Sequence, residues 1–445
     1  MKIVIIGASF AGLSAALEAS RSYPNAEILV LDKAREVAYF PNSLNWKLLG
    51  VIEDFEEARI ALYRELLAIN AVTWQLGSEL VALYPDKKKI KYKQENHEGF
   101  ISYDKLILAM GAKQSWHQED SQLKEHFLAS KTVSEAKESY AKLQQAQSVL
   151  VVGGGHIGLE SLEALTTLGI RIELIEAQDG LLSKYFDKEM LLPIEQLLEE
   201  KGVRLHFGAI AEQMIVTKDG GICVETMSAT YKADYLLLAT NFRPHTEVFY
   251  GLLDLNADGT LWVDNYLETS CQDVFAIGDV VQMPFAFFGR SYLPLINHAL
   301  LTGRLAAHNI VQKRFPLKEV ERIVSSHVFG YHLISVGLTQ LQASLWTDVE
   351  TVVIEEQFDQ WRKEQLHFKL IIEKKTHRLL GAQLVSQVLH DNHMDAIALA
   401  IAKEMTAYDC LNQSFHSAPR QTPLEPLLSR ACWQYANRRE VSDAY

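Results

Sequence analysis

The apolar positions of the chain gather into short continuous runs. The first, "KIVII", meets a glycine turn and a helix-compatible stretch, "ASFAGLSAALEAS", before a second run, "AEILVLDK". Such runs, bounded by turn residues, predict strands buried on both faces of a parallel sheet. The same order returns further along in "SVLVVGGGHIGLESLEAL" and "IRIELIEA". Each copy predicts a strand–helix–strand unit whose second strand ends in a carboxylate, Asp32 in the first and Glu176 in the second. "YDKLILAMGAK", "ADYLLLATNFRP" and "TSCQDVFAIGDVV" predict further strands ending at small residues, and "LHFKLIIEK" followed by "HMDAIALAIAKEM" predicts a sheet covered by helices. The fold class is α/β, with two Rossmann-like dinucleotide-binding domains.

The turns carry the chemistry. Glycines at a strand–helix junction let backbone approach a pyrophosphate whose charge rests on the helix N-terminus, while the acid bonds ribose hydroxyls. In the second copy Gly153, Gly155 and Gly158 complete GxGxxG, and Glu176 follows. A carboxylate there repels a 2′-phosphate, so NADH is favoured over NADPH. In the first copy Gly7 and Gly12 are in place with Asp32, but Ser9 replaces the middle glycine. Gly278-Asp279 ends a strand and is placed to bond a ribityl hydroxyl; a plain strand-end turn is the alternative.

Composition narrows the class. At 445 residues the chain has room for roughly three domains. The net charge of −13 argues against a nucleic-acid or anionic-membrane partner. Without a leader pattern or a long apolar stretch, the chain reads as cytoplasmic. Cys223, Cys271, Cys410 and Cys432 form no CxxC pair, so neither a disulfide framework nor a zinc site is expected. "HDNHMD", with His390 and His393, reads as a capped helix start in preference to a metal site, and "DKKKIKYK" as a solvated hairpin.

Together and in this order, the nucleotide signatures resemble the pyridine nucleotide-disulfide oxidoreductases, and within them the group of NADH oxidase, NADH peroxidase and coenzyme A-disulfide reductase. "YFDKEM", "NFRPHT", "LPLINHALLTGRLAAHNI", "ISVGLTQLQAS", "RLLGAQLVS" and "DAIALAIAKEMTAYD" extend the resemblance over essentially the whole chain. It implies an FAD domain from residues 1–112 and 242–318, an NADH domain at 113–241, and a C-terminal α+β dimerisation domain at 319–445. It also implies a homodimer. FAD would be held by Gly7, Ser9, Phe10, Ala11, Gly12, Asp32, Lys33, Asn42, Ser43, Ala109, Gly111, Gly278, Asp279, His298 and Ala299. NADH would be held by Gly153, Gly155, His156, Ile157, Gly158, Glu176 and Asn241.

"FPNSLNWKLLG" carries the main departure. The group's pattern at the flavin edge is Phe, two residues, a redox cysteine, and a later glycine; here Phe40 and Gly50 fit it with Ser43 in the cysteine position. A thiolate can form a mixed disulfide or cycle through sulfenic acid, and a hydroxyl does neither. Phe10 stands where the family often has a histidine, and Ser417 lies near an expected tyrosine. On the nicotinamide side His156 replaces the usual aromatic gate, to swing aside for the nicotinamide, and Glu160 matches the acid behind it. A backbone-bonded histidine and an ordinary helix glutamate are the alternatives.

The expected function is therefore an FAD-dependent NADH oxidoreductase without a redox cysteine, with His156, Glu160, Ser43 and Phe10 at its reacting centre. Electrons would pass to dioxygen, forming hydrogen peroxide, or to another small acceptor. An FAD- and NADH-binding redox sensor with little turnover is the alternative, ahead of a disulfide reductase or NADH peroxidase.

Overall fold

The computed structural model describes all residues except 70, 71, 115, 117–120, 219, 241, 359–363, 390, 414–426, 444 and 445. Asn241, His390 and Ser417 lie outside the described residues. By its contacts the chain divides into two units, Met1–Ala146 with Thr240–Glu319, and Gln147–Ala239 with Val320–Tyr445.

The first unit is built on a five-stranded parallel sheet with the order Val274–Ala276, Lys105–Leu108, Lys2–Ile6, Glu27–Asp32, Thr73–Leu76. Ile3, Val4, Ile5, Leu106, Ile107 and Val274 are fully buried, which is why these strands read as unbroken apolar runs. The helix Phe10–Ser22 packs against Ile296–Asn309. Small residues allow a close crossing: a side chain at Gly303 would meet the Ala11 carbonyl oxygen at 2.4 Å. An antiparallel three-stranded sheet, Ser78–Tyr84, Lys89–Gln94 and His97–Ser102, contains the basic run as a hairpin. Ala112–Gln114 pairs antiparallel with Phe242–Pro244, the stretch just after the chain re-enters this unit.

The second unit repeats the arrangement with Tyr235–Leu238, Ser148–Val152, Arg171–Ile175 and Arg204–His206, all parallel. To this it adds an antiparallel sheet in the order Ile323–Val328, Tyr331–Gly337, Leu379–Ser386, Glu364–Glu373, Val349–Phe358. The helices Asp391–Ala402 and Leu427–Asp443 belong to the same part of the chain. Lys369, fully buried, reaches Asp187 at 2.9 Å and Glu189 at 2.5 Å, and Gln383 donates to Asp187 at 2.8 Å. This pins the start of the helix Lys188–Glu200 to the antiparallel sheet. Among the described residues no helix is long and apolar enough to cross a membrane.

Candidate cofactor sites

The two glycine turns have the same build. Gly7 and Gly153 follow the central strands with φ of +110° and +108°, in the region L side chains avoid. Five residues on, a side chain at Gly12 or Gly158 would sit 1.9 Å from the carbonyl oxygen of Gly7 or Gly153. No side chain fits there, so helix and turn can close only on glycine. The acid that ends each second strand braces the turn: Ala8 N–H donates to Asp32 Oδ2 at 2.7 Å, and Gly154 N–H to Glu176 Oε2 at 2.6 Å. The other carboxylate oxygens accept from Ala34 and Gln178. Each oxygen keeps lone-pair capacity for a ribose hydroxyl.

Ser9 proves compatible with this design. It is the residue before the first helix, with extended backbone (φ −109°, ψ −162°), as Gly155 is before its own (φ −75°, ψ −172°). Any residue adopts that conformation, and a side chain at Gly155 would meet nothing within 4 Å. The middle glycine is thus dispensable for the turn itself. Ile157 is exposed beside Gly155.

In the first unit the remaining expected residues gather at the C-terminal ends of the parallel strands, where an α/β sheet binds ligands. Ala109 follows one strand, and its carbonyl would lie 2.2 Å from a side chain at Gly7. Lys33 follows Asp32, and Gly111 lies beyond Ala109 with φ +69°. Gly278, also at φ +69°, abuts Ala11 and donates its N–H to the hydroxyl oxygen of the fully buried Thr302 at 2.9 Å. His298 and Ala299 lie one turn earlier on the same helix, buried; burial lowers the His298 pKa.

Asp279 is held in a desolvated setting that raises its pKa to about 6, with Lys131 the opposing charge that draws it down. Burial lowers the Lys131 ammonium in turn, and its Nζ also lies 5.9 Å from the Phe242 ring centroid. The Tyr292 hydroxyl, its pKa raised chiefly by burial and also by Asp279, is buried without a hydrogen-bond partner among the described residues. Thr302, Lys131 and Tyr292 were not expected from the sequence.

Ser43 opens the short helix Ser43–Leu48 and is fully buried. Its N–H donates to the Phe40 carbonyl at 3.1 Å, and its Oγ has no hydrogen-bond partner among the described residues. Asn42 precedes it and accepts from Asn45. Phe10 meets Phe40 edge-on at 5.4 Å, and Phe40 stacks on Trp46 at 4.5 Å, so an apolar wall adjoins the serine. The unit's single cysteine, Cys271, lies at the entrance of the strand Val274–Ala276, the end opposite Gly278 and Asp279. Cys223, Cys410 and Cys432 are buried in the second unit.

There His156 opens the helix His156–Thr166, with its ring 5.1 Å from Tyr185. Its Nδ1 lies 2.6 Å from Ser326 Oγ, and Ser326 donates to Glu160 Oε1 at 2.9 Å. Burial lowers the His156 pKa to about 4. Ser326 had no signal in the sequence, because it arrives from a strand far along the chain.

A parallel-sheet framework repeated twice, each copy with a glycine turn and a braced acid, defines a protein built to bind two dinucleotides. Comparison with known proteins agrees. Residues 1–303 match the family "Pyridine nucleotide-disulphide oxidoreductase" and residues 323–424 its dimerisation domain. The chain belongs to the pyridine nucleotide-disulphide oxidoreductases. It is 28% identical to the NADH oxidase of Enterococcus faecalis over 94% of this chain and 96% of that one. A solved structure of a pyridine nucleotide-disulfide family oxidoreductase, also from Enterococcus faecalis, is 31% identical, covers 99% of both chains and superposes with a TM-score of 0.84. The water-forming NADH oxidase from Lactobacillus brevis bound to NADH shares the fold, with a TM-score of 0.91 at 24% identity and full coverage of both chains.

Proposed function

We propose that this chain is an FAD-dependent NADH oxidoreductase that works without a redox cysteine. The observation that carries the reading is Ser43: fully buried, with its Oγ unpartnered, it occupies the position where the family's pattern places a thiol. The residues present fit the flavin nucleotide. Gly7 and Gly12 would form the pyrophosphate turn, Asp32 would offer lone pairs to the adenosine ribose, and Asp279 would bond the ribityl chain. Among the described residues the buried hydroxyls of Ser43 and Tyr292 have no hydrogen-bond partner, which a polar group of the flavin nucleotide would supply. Gly153, Gly155, Gly158 and Glu176 form the corresponding NADH turn, with His156 and Glu160 on the nicotinamide side. Bound FAD supplies the two-electron chemistry.

The overall reaction with dioxygen balances as NADH + H⁺ + O₂ → NAD⁺ + H₂O₂. Carrying peroxide on to water through a cysteine requires sulfur, which can become a sulfenic acid and be reduced again. Ser43 lacks that chemistry, and Phe10, packed edge-on against Phe40, holds no proton to give. A quinone, a dye or a small redox protein could replace dioxygen. The dimerisation-domain match supports a homodimer.

The test is anaerobic mixing of the FAD-loaded protein with NADH, followed by admission of oxygen. Fast loss of the flavin band and peroxide matching the NADH consumed are the expected results. Four-electron reduction to water contradicts the product assignment. Slow or absent bleaching instead supports a redox sensor, the reading favoured by Phe10 and Ser43 taken as losses.

A further inference from the structure

The bonds around His156 fix more than its position. The Glu160 carboxylate offers lone pairs only, so Ser326 gives its single hydroxyl proton to Glu160 Oε1. The Ser326 oxygen must then accept in its other bond, 2.6 Å from His156 Nδ1. His156 therefore carries its proton on Nδ1. In a neutral imidazole this leaves Nε2 as a bare acceptor. That nitrogen is buried and has no hydrogen-bond partner among the described residues. Tyr185, 5.1 Å away and tilted by 39°, confines the ring from another side. A buried acceptor held this firmly and left unpaired is poised for a donor brought by a ligand.

On the reading of NADH as substrate, the donor can be identified by chemistry. The pyrophosphate offers acceptors only. The adenosine half, with its amine and ribose hydroxyls, belongs to Glu176. The nicotinamide half carries the remaining donors, its ribose hydroxyls and the carboxamide amine, and only the amine is borne by the ring that gives up the hydride. We infer that Ser326 is a positioning residue, which with Glu160 locks His156 in its Nδ1–H tautomer so that Nε2 accepts a hydrogen bond from the nicotinamide carboxamide. His156 then reads the ring through a tautomer that Ser326 fixes.

The test compares reduced 3-acetylpyridine adenine dinucleotide, in which a methyl group replaces the amine, with NADH on the FAD-loaded protein. The ratio of kcat/KM for the two nucleotides is measured in wild type, Ser326→Ala and Ser326→Thr, so that the intrinsic difference between the nucleotides cancels. Relative to wild type, Ser326→Ala should lose about tenfold of the preference for NADH, through KM more than kcat. Ser326→Thr, which restores the hydroxyl, should keep it. Histidine ¹⁵N chemical shifts, assigned to His156 with a His156→Gln control, should show Nδ1 protonated in wild type and a tautomer mixture in Ser326→Ala. An unchanged ratio in Ser326→Ala, or an Nε2-protonated ring in wild type, overturns the inference while leaving NADH as substrate. A wild-type flavin that NADH cannot reduce overturns the substrate reading, and the carboxamide assignment falls with it.

Discussion

At the scale of single residues, Ser43 and His156 make the sharpest expectations. Ser43→Cys places sulfur at a fully buried position next to Phe40, whose ring meets Phe10 edge-on. It should add a long-wavelength absorbance to the FAD-loaded protein and move the oxygen product from peroxide towards water, read by absorbance and a peroxide assay. His156 makes a pH prediction with a definite sign. Its pKa of about 4 in the folded chain lies below the ordinary 6.5, so the unfolded chain takes a proton that the native one refuses. The stability concerned is complete above the ordinary value and is lost as pH falls towards the folded one. Between about pH 7.5 and 5, wild type should lose about 2 kcal/mol more than His156→Gln in urea unfolding. Equal losses in the two proteins contradict it. Asp279 acts with the opposite sign, because its raised pKa lets the native state hold a proton longer; comparison within the His156 pair removes that contribution.

At the scale of elements, the repeated turn can be broken in one copy at a time. A methyl group at Gly158 or Gly12 meets a carbonyl oxygen at 1.9 Å in either turn. Gly158→Ala should raise KM for NADH at least about tenfold while the purified protein keeps its flavin content. Gly12→Ala should lose flavin. Loss of flavin from Gly158→Ala would show that the turns do not serve separate nucleotides. The turns were legible in the sequence because steric demand fixes a glycine at a set distance from a strand end, and the acid that braces the turn follows at another. The middle position was not: the sequence marks Ser9 as a departure, whereas the backbone there is extended and accepts any residue. Lys131, Thr302 and Ser326 were invisible for a different reason. Each is a lone polar residue in an ordinary stretch, and only sheet and helix packing carries it to Asp279, Gly278 or His156.

At the scale of the whole molecule, the α/β class and the repeated nucleotide-binding framework followed from apolar runs. The antiparallel sheet was less specific, since alternation and buried runs occur together in Glu364–Glu373. The buried lysine within that strand had no pattern at all. Lys369 compensates Asp187, which is nearly buried, and Glu189, which is half exposed. Lys369→Met leaves Asp187 without its cation and should cost about 3–5 kcal/mol in denaturant unfolding of the FAD-loaded protein. A change under about 1 kcal/mol would mean that the ion pair adds only what a surface pair does.

The central claim, that electrons leave this protein without passing through sulfur, is tested most directly by anaerobic titration of the FAD-loaded protein with NADH. Flavin absorbance should bleach fully at about one NADH per flavin, with no long-wavelength band from a thiolate beside the ring. A second electron pair taken up per flavin, or such a band in the partly reduced protein, would contradict the account.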